Sequence, residues 1–149
     1  MRKIIIILFH FIFFFSEYSY AKDEYFRTLR NDKVNLRNGP SFDYPVKIFY
    51  TKKFLPVLIQ DSSDNFRKIR YHENNSGWKH LSQLTKKKAA IVTRGDLIMF
   101  KSPTIYSNPI VILKEGRLVR ISKCKDAWCK VISGEFKCWI KNENLWGLF

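Results

Sequence analysis

The stretch Val34-Asn35-Leu36-Arg37-Asn38-Gly39-Pro40 is followed by Tyr44-Pro45-Val46 and closed by Gly77-Trp78 and Leu84. Its outline returns once, as Leu97-Ile98-Met99-Phe100-Lys101-Ser102-Pro103, then Asn108-Pro109-Ile110, Cys138-Trp139 and Leu145. Pro40 and Pro103 lie 63 positions apart, while Trp78 to Trp139 and Leu84 to Leu145 are both 61. A solenoid needs three or more short stacked repeats, so two units of this length read as two small domains. Within each unit the punctuation makes turns. Asn38-Gly39-Pro40 ends a strand sharply, because glycine tolerates positive φ and proline fixes φ while donating no hydrogen bond. Trp78, behind Gly77, is expected to cover one end of a small core.

Strand signals fill the space between these marks. Val46 to Tyr50, Leu55 to Ile59 and Phe66 to Tyr71 are rich in β-branched and aromatic residues. Asp61-Ser62-Ser63-Asp64-Asn65 reads as a longer hairpin loop, and His72 to Gly77 as a second turn before a short strand at Trp78-Lys79-His80. The second unit repeats the scheme with Ile110 to Leu113, Leu118 to Ile121, Trp128 to Ile132, a turn at Ser133-Gly134-Glu135, and Phe136 to Ile140. Phe26 to Leu29 and Ala89 to Thr93 stand before the two motifs as an extra strand each. No window after the N-terminal segment shows a helical period. The expected class is all-β, with two small barrels in tandem over 25–85 and 89–149, joined by a basic linker at 86–88.

Residues 1–21 form a separate object. Arg2 and Lys3 precede a 12-residue run, Ile4 to Phe15, that is apolar except for His10, and Ser19-Tyr20-Ala21 offers a small-x-small cleavage pattern. The run is short for a bilayer, which takes about 20 residues as a helix. A signal peptide cut between Ala21 and Lys22 is expected; an uncleaved anchor is the competing reading. Export places the protein in the periplasm or on the extracellular face of a bacterium.

The formal net charge of +14 draws polyanions. Nucleic acid is the ordinary partner of such a chain, but an exported protein meets anionic lipid, envelope polymers or acidic proteins instead. Small domains of this size are marginally stable and call for a staple or a mutual interface. Cys124 and Cys129 flank the turn Lys125-Asp126-Ala127 and are expected to form a disulfide across a hairpin. Cys138 is left over, to be buried, reactive or the true partner of Cys129. Zinc is a poor competitor, since no histidine follows His80 to complete the ligand set.

Catalysis finds little support. His72 and His80 fall in the first unit and all three cysteines in the second, so a nucleophile–base pair would have to cross between domains. No isolated carboxylate pair suggests acid–base work, and no cofactor is implied. Binding is the sharper expectation. The loop Ser41-Phe42-Asp43-Tyr44 puts two aromatics beside a tight turn, and with Arg37, Asn65 and Trp78 it offers a shallow aromatic groove with a basic edge. Aromatic area and an arginine fork suit a peptide or a glycan that bears carboxylates. The alternative has Tyr44 packed on Trp78 as the rim of the core.

The first unit strongly resembles the bacterial Src-homology-3-like (SH3b) domain found in exported proteins. The resemblance rests on Lys33 to Ser41, Tyr44-Pro45-Val46, Leu55-Pro56-Val57, Phe66 to Arg70 and Gly77 to Leu81. The other unit is similar to the degenerate partner of tandem proteins in this family, with Cys124, Trp128 to Val131 and Leu145-Trp146-Gly147. Phe66 stands where the family has tryptophan, Ser102 replaces the first-unit glycine, and Cys138 replaces the glycine before tryptophan. The resemblance implies an SH3-like barrel of about five to seven strands. It implies a module that binds cell-wall peptidoglycan or peptides and does not catalyse. The other class of function open to such a barrel is a scaffold that contacts another envelope protein without any glycan.

Overall fold

The computed structural model describes residues 23–50 and 52–148. The expected signal segment 1–21 and its cleavage point at Ala21–Lys22 lie outside the described residues.

The first half is built from β1 (Tyr25–Leu29), β2 (Val34–Arg37), β3 (Val46–Tyr50), β4 (Pro56–Ser63), β5 (Phe66–Arg70), β6 (Ser76–His80) and β7 (Leu84–Thr85). A single 3-10 turn, Leu81–Gln83, separates the last two. The second half has β8 (Ala89–Val92), β9 (Leu97–Phe100), β10 (Pro109–Leu113), β11 (Leu118–Lys125), β12 (Trp128–Ser133), β13 (Phe136–Lys141) and β14 (Leu145–Trp146). Each half is one curled antiparallel sheet, ordered β3-β2-β6-β5-β4-β1-β7 and β10-β9-β13-β12-β11-β8-β14. The two orders are the same order. The fold is therefore all-β, two SH3-like half-barrels in tandem.

The likeness extends to irregularities. β4 shifts register between Ile59 and Asp61, and β11 between Ile121 and Lys123. Such bulges bend a long strand, so an eight-residue strand can curl around the sheet. Both hairpins then close through two residues, Asp64-Asn65 and Asp126-Ala127, each with its aspartate at positive φ. The longer loop expected at residues 61–65 is thus corrected. Asp61, Ser62 and Ser63 are polar turn formers, but they belong to the strand and pair with Lys68, Arg67 and Phe66.

Leu29, Leu36, Val57, Ile69 and Leu84 fill the first core, and Val92, Met99, Val119, Val131 and Ile140 the second. The leucines that close the sequence repeat close the sheets: Leu84 pairs with Leu29, and Leu145 with Val92. The halves are not independent. Ile91 belongs to the first core and Leu118 packs against it, although both come from the second half. Phe26 meets Trp146 edge-on with ring centres 4.8 Å apart. Thr28 Oγ1 donates to the carbonyl of Lys87 at 2.7 Å, which fixes the connection between the sheets. Lys86, Lys87 and Lys88 form that connection, all exposed.

Candidate functional site

Strand alternation decides which side chains reach the surface of the first sheet. A Cβ on Gly77 would lie 2.7 Å from Leu36 and 2.8 Å from the carbonyl of Arg37, so position 77 faces the core. Lys79, two residues on, must then point inward, and Trp78 and His80 outward. Trp78 was expected to cover one end of the core. It lies instead on the outer face, paired with Arg37 on one side and Lys68 on the other.

That outer face carries a cluster of rings. Phe66 and His80 are cross-strand partners with ring centres 5.3 Å apart. Phe42 comes down from the loop after β2 and sits 5.1 Å from each of them. Arg37 is the clasp that holds it there: Nη1 donates to the carbonyl of Phe42 at 3.0 Å and to that of Tyr44 at 2.7 Å. Its guanidinium also lies 5.4 Å from the centre of the Phe42 ring. Ser41 Oγ and the Asp43 carboxylate bond at 2.7 Å, tightening the same loop. Phe42 remains 61% exposed and Tyr44 46%, so the loop presents aromatic area on a fixed frame.

The Tyr44 ring does not stack on Trp78 as core rim. It lies over Gly39, so closely that a Cβ there would stand 2.5 Å from the ring. This is the physical reason for glycine in the motif. In the second half Ser102 stands at this position, its N–H bonded to Ser107 Oγ at 2.8 Å, and Tyr106 is 92% exposed. Asn65 is exposed at the neighbouring turn, where its carbonyl accepts from the Leu81 N–H at 2.7 Å.

Arg37, Phe42 and Tyr44 are thus brought together, with Trp78 opposite Arg37 and Asn65 beside Leu81. Sequence reasoning left His80 and Phe66 out of the groove, weighing His80 only as a candidate base and Phe66 only as the replacement for the family's tryptophan. The 66–80 strand pairing supplies them. His80 Nδ1 faces Ser82 Oγ at 2.7 Å and accepts from the Ser82 N–H at 3.3 Å.

Lys79 occupies an unusual place. It is fully buried, and its Nζ has no hydrogen-bond partner among the described residues. It lies 5.7 Å from the Tyr50 ring, which stacks on Tyr71 at 3.7 Å. Burial lowers its pKa from 10.5 to about 7. The same cause raises the phenols of Tyr50 and Tyr71. In the second half the corresponding residue is Ile140, also fully buried.

Cys124 and Cys129 face each other across β11 and β12 and are joined as a disulfide, while Cys138 is a free, buried thiol. Among the described residues no group of three or more histidine, cysteine or acidic side chains is placed to hold a metal. Among the same residues no helix is long and apolar enough to cross a membrane.

Comparison with known proteins places this architecture in a family. No curated protein matches the chain. Solved structures similar to it include NlpC2 from Trichomonas vaginalis, at 13% identity and a TM-score of 0.38, covering 86% of this chain and 49% of that one. NlpC1 from the same organism matches at 12% identity and a TM-score of 0.37, covering 85% and 47% respectively. The chain spans about half the length of either. The profile described as bacterial SH3 domain matches twice, over residues 30–86 and 95–147. Two matches over most of the length, each on its own seven-stranded sheet, make this chain a tandem member of the bacterial SH3 domain family.

Proposed function

We propose that the protein is an exported, non-catalytic binding protein of the bacterial envelope, which holds cell-wall peptidoglycan or its peptides on the Arg37–Phe42–Tyr44 face of the first domain. Bacterial SH3 domains are binding modules, and that much follows from membership. The observation that carries the finer reading is the clasped loop. Two exposed aromatics are presented by a segment that Arg37 ties down with two carbonyl bonds, so little ordering entropy is lost when a ligand lands. Trp78 and His80 extend the surface along β6, and Asn65 adds an amide at its edge.

The test is co-sedimentation of the protein with purified sacculi across a salt series. At about 0.5 M salt, screening leaves only a few ångströms of electrostatic reach. Retention there, with loss in Phe42→Ala and Tyr44→Ala, supports wall binding at this face. Release at modest salt points to charge alone, including the weak attraction to anionic lipid that a +14 chain invites.

A second reading has its own observation. Ile112 on the edge strand β10 pairs with Ile98, and these two residues and Ile110 are all exposed. An apolar edge strand is a template for another chain, which favours a scaffold that contacts an envelope protein. No pelleting at any salt, with a partner crosslinked through β10, moves the function to that reading.

A further inference from the structure

We propose that the cleft between the two domains is a second binding site, for a small oligoanion carrying two or more carboxylate or phosphate groups beside an apolar portion. A cavity of about 520 Å³ opens there, between β1, the connection and β11. That volume falls in the range of small-ligand sites. Its lining contains five cations, Arg27, Lys86, Lys87, Lys88 and Lys123, and no carboxylate. None of the five has a salt bridge to a carboxylate among the described residues.

Five like charges around one concavity repel each other, and low-dielectric walls strengthen the field they share. An oligoanion relieves that repulsion, and two or more anionic groups engage several of the cations at once. An aromatic face of the lining stands beside Arg27, while Lys87 and Lys123 reach rings just outside it. The Arg27 guanidinium lies 4.5 Å from the centre of the Tyr25 ring, Lys87 Nζ 5.6 Å from that of Phe54, and Lys123 Nζ 5.5 Å from that of Trp139. Phe26, Ile121 and Leu148 supply the apolar part of the lining. The walls are fixed too. Thr28 ties the Lys87 carbonyl, and the Cys124–Cys129 disulfide lies on the β11 side of the cleft. The clasped aromatic face belongs to β2, β5 and β6, so this site is separate from it.

The experiment is titration calorimetry on the purified protein as cells produce it, at about 0.15 M salt, where the screening length is about 8 Å. The soluble probes are a triglutamate peptide and tripolyphosphate; vesicles containing anionic lipid are the third arm. Lys87→Gln with Lys123→Gln removes one cation from each side of the cleft. Lys47→Gln with Lys137→Gln removes two exposed cations elsewhere. One-to-one binding of at least one soluble oligoanion is expected, weakened about tenfold or more by the cleft pair and less than about twofold by the other. The tighter of the two probes identifies carboxylate or phosphate as the recognised group. Equal weakening by both pairs overturns the proposal. So does binding to vesicles alone, or no saturable binding of either soluble anion.

Discussion

Lys79 shows how a single side chain sets a pH dependence. Its ammonium is buried beside two tyrosine rings with no partner for Nζ among the described residues, and burial without a partner costs about 1–3 kcal/mol. Below pH 7 the lysine is protonated folded and unfolded alike, so the full penalty stands. Between about 7 and 10.5 the unfolded chain still binds the proton that the folded one has lost, so stability rises with pH. Above about 10 the trend reverses, because unfolding lets Tyr50 and Tyr71 ionise while burial keeps them protonated in the fold. Lys79→Ile copies the residue of the second half. It is expected to stabilise the protein by about 1–3 kcal/mol at neutral pH and to flatten the rise between 7 and 10 in denaturant titrations. An unchanged pH profile in the variant would show that Lys79 is not its source. Gly77 makes the opposite point: Gly77→Ala drives a methyl against Leu36 and the Arg37 carbonyl. A loss of about 1–3 kcal/mol is expected by chemical denaturation. The second half accommodates Cys138 at this position, in a core whose counterpart of Leu36 is Met99, a more adaptable side chain than leucine.

At the scale of elements, the clasp and the hairpin staple are separable. Arg37→Lys keeps the charge but loses the planar Nη1 group whose N–H bonds reach both carbonyls, so the 41–45 segment should exchange its amides faster while the global midpoint moves little. Reducing the Cys124–Cys129 bond releases a short loop, worth about 2 kcal/mol in the chain-entropy picture. The loss should appear as a lower midpoint in denaturant under reducing conditions. These elements were unequally legible in the sequence. Runs of β-branched and aromatic residues marked β3, β5 and β10, and the spacing around Asp126 marked the disulfide. Trp78 was read both as a cover for the core, where tryptophan usually sits, and as part of the groove, and the structure puts it on the outer face. The better signal was Gly77, whose missing side chain puts 77 and 79 inside and therefore 78 and 80 outside. His80 entered that reading only as a candidate base. Its role comes from its pairing with Phe66, fourteen positions away, which no local pattern displays.

The whole molecule has two repeats but is expected to unfold as one body. Ile91 completes the first core from the second half, Leu118 packs against it, and Trp146 reaches back to Phe26 and His72. A domain of about 60 residues buries only about 60% of the surface its unfolded chain exposes, which leaves little margin once such contacts are cut. The division at 25–85 and 89–149 therefore marks repeats of sequence, and cutting there leaves the first core open where Ile91 sat. Scanning calorimetry of the intact protein should give one transition, with each half expressed alone melting lower. Trp146→Ala tests the coupling without cutting the chain. It removes the edge-on contact with Phe26 and should cost about 1–3 kcal/mol, within the usual range for half-buried aromatics. Because the contact spans both sheets, the loss should lower the unfolding of both halves together. Two transitions at the midpoints of the separate halves would instead mean that each barrel holds itself, and that the shared core contributes nothing to the pair.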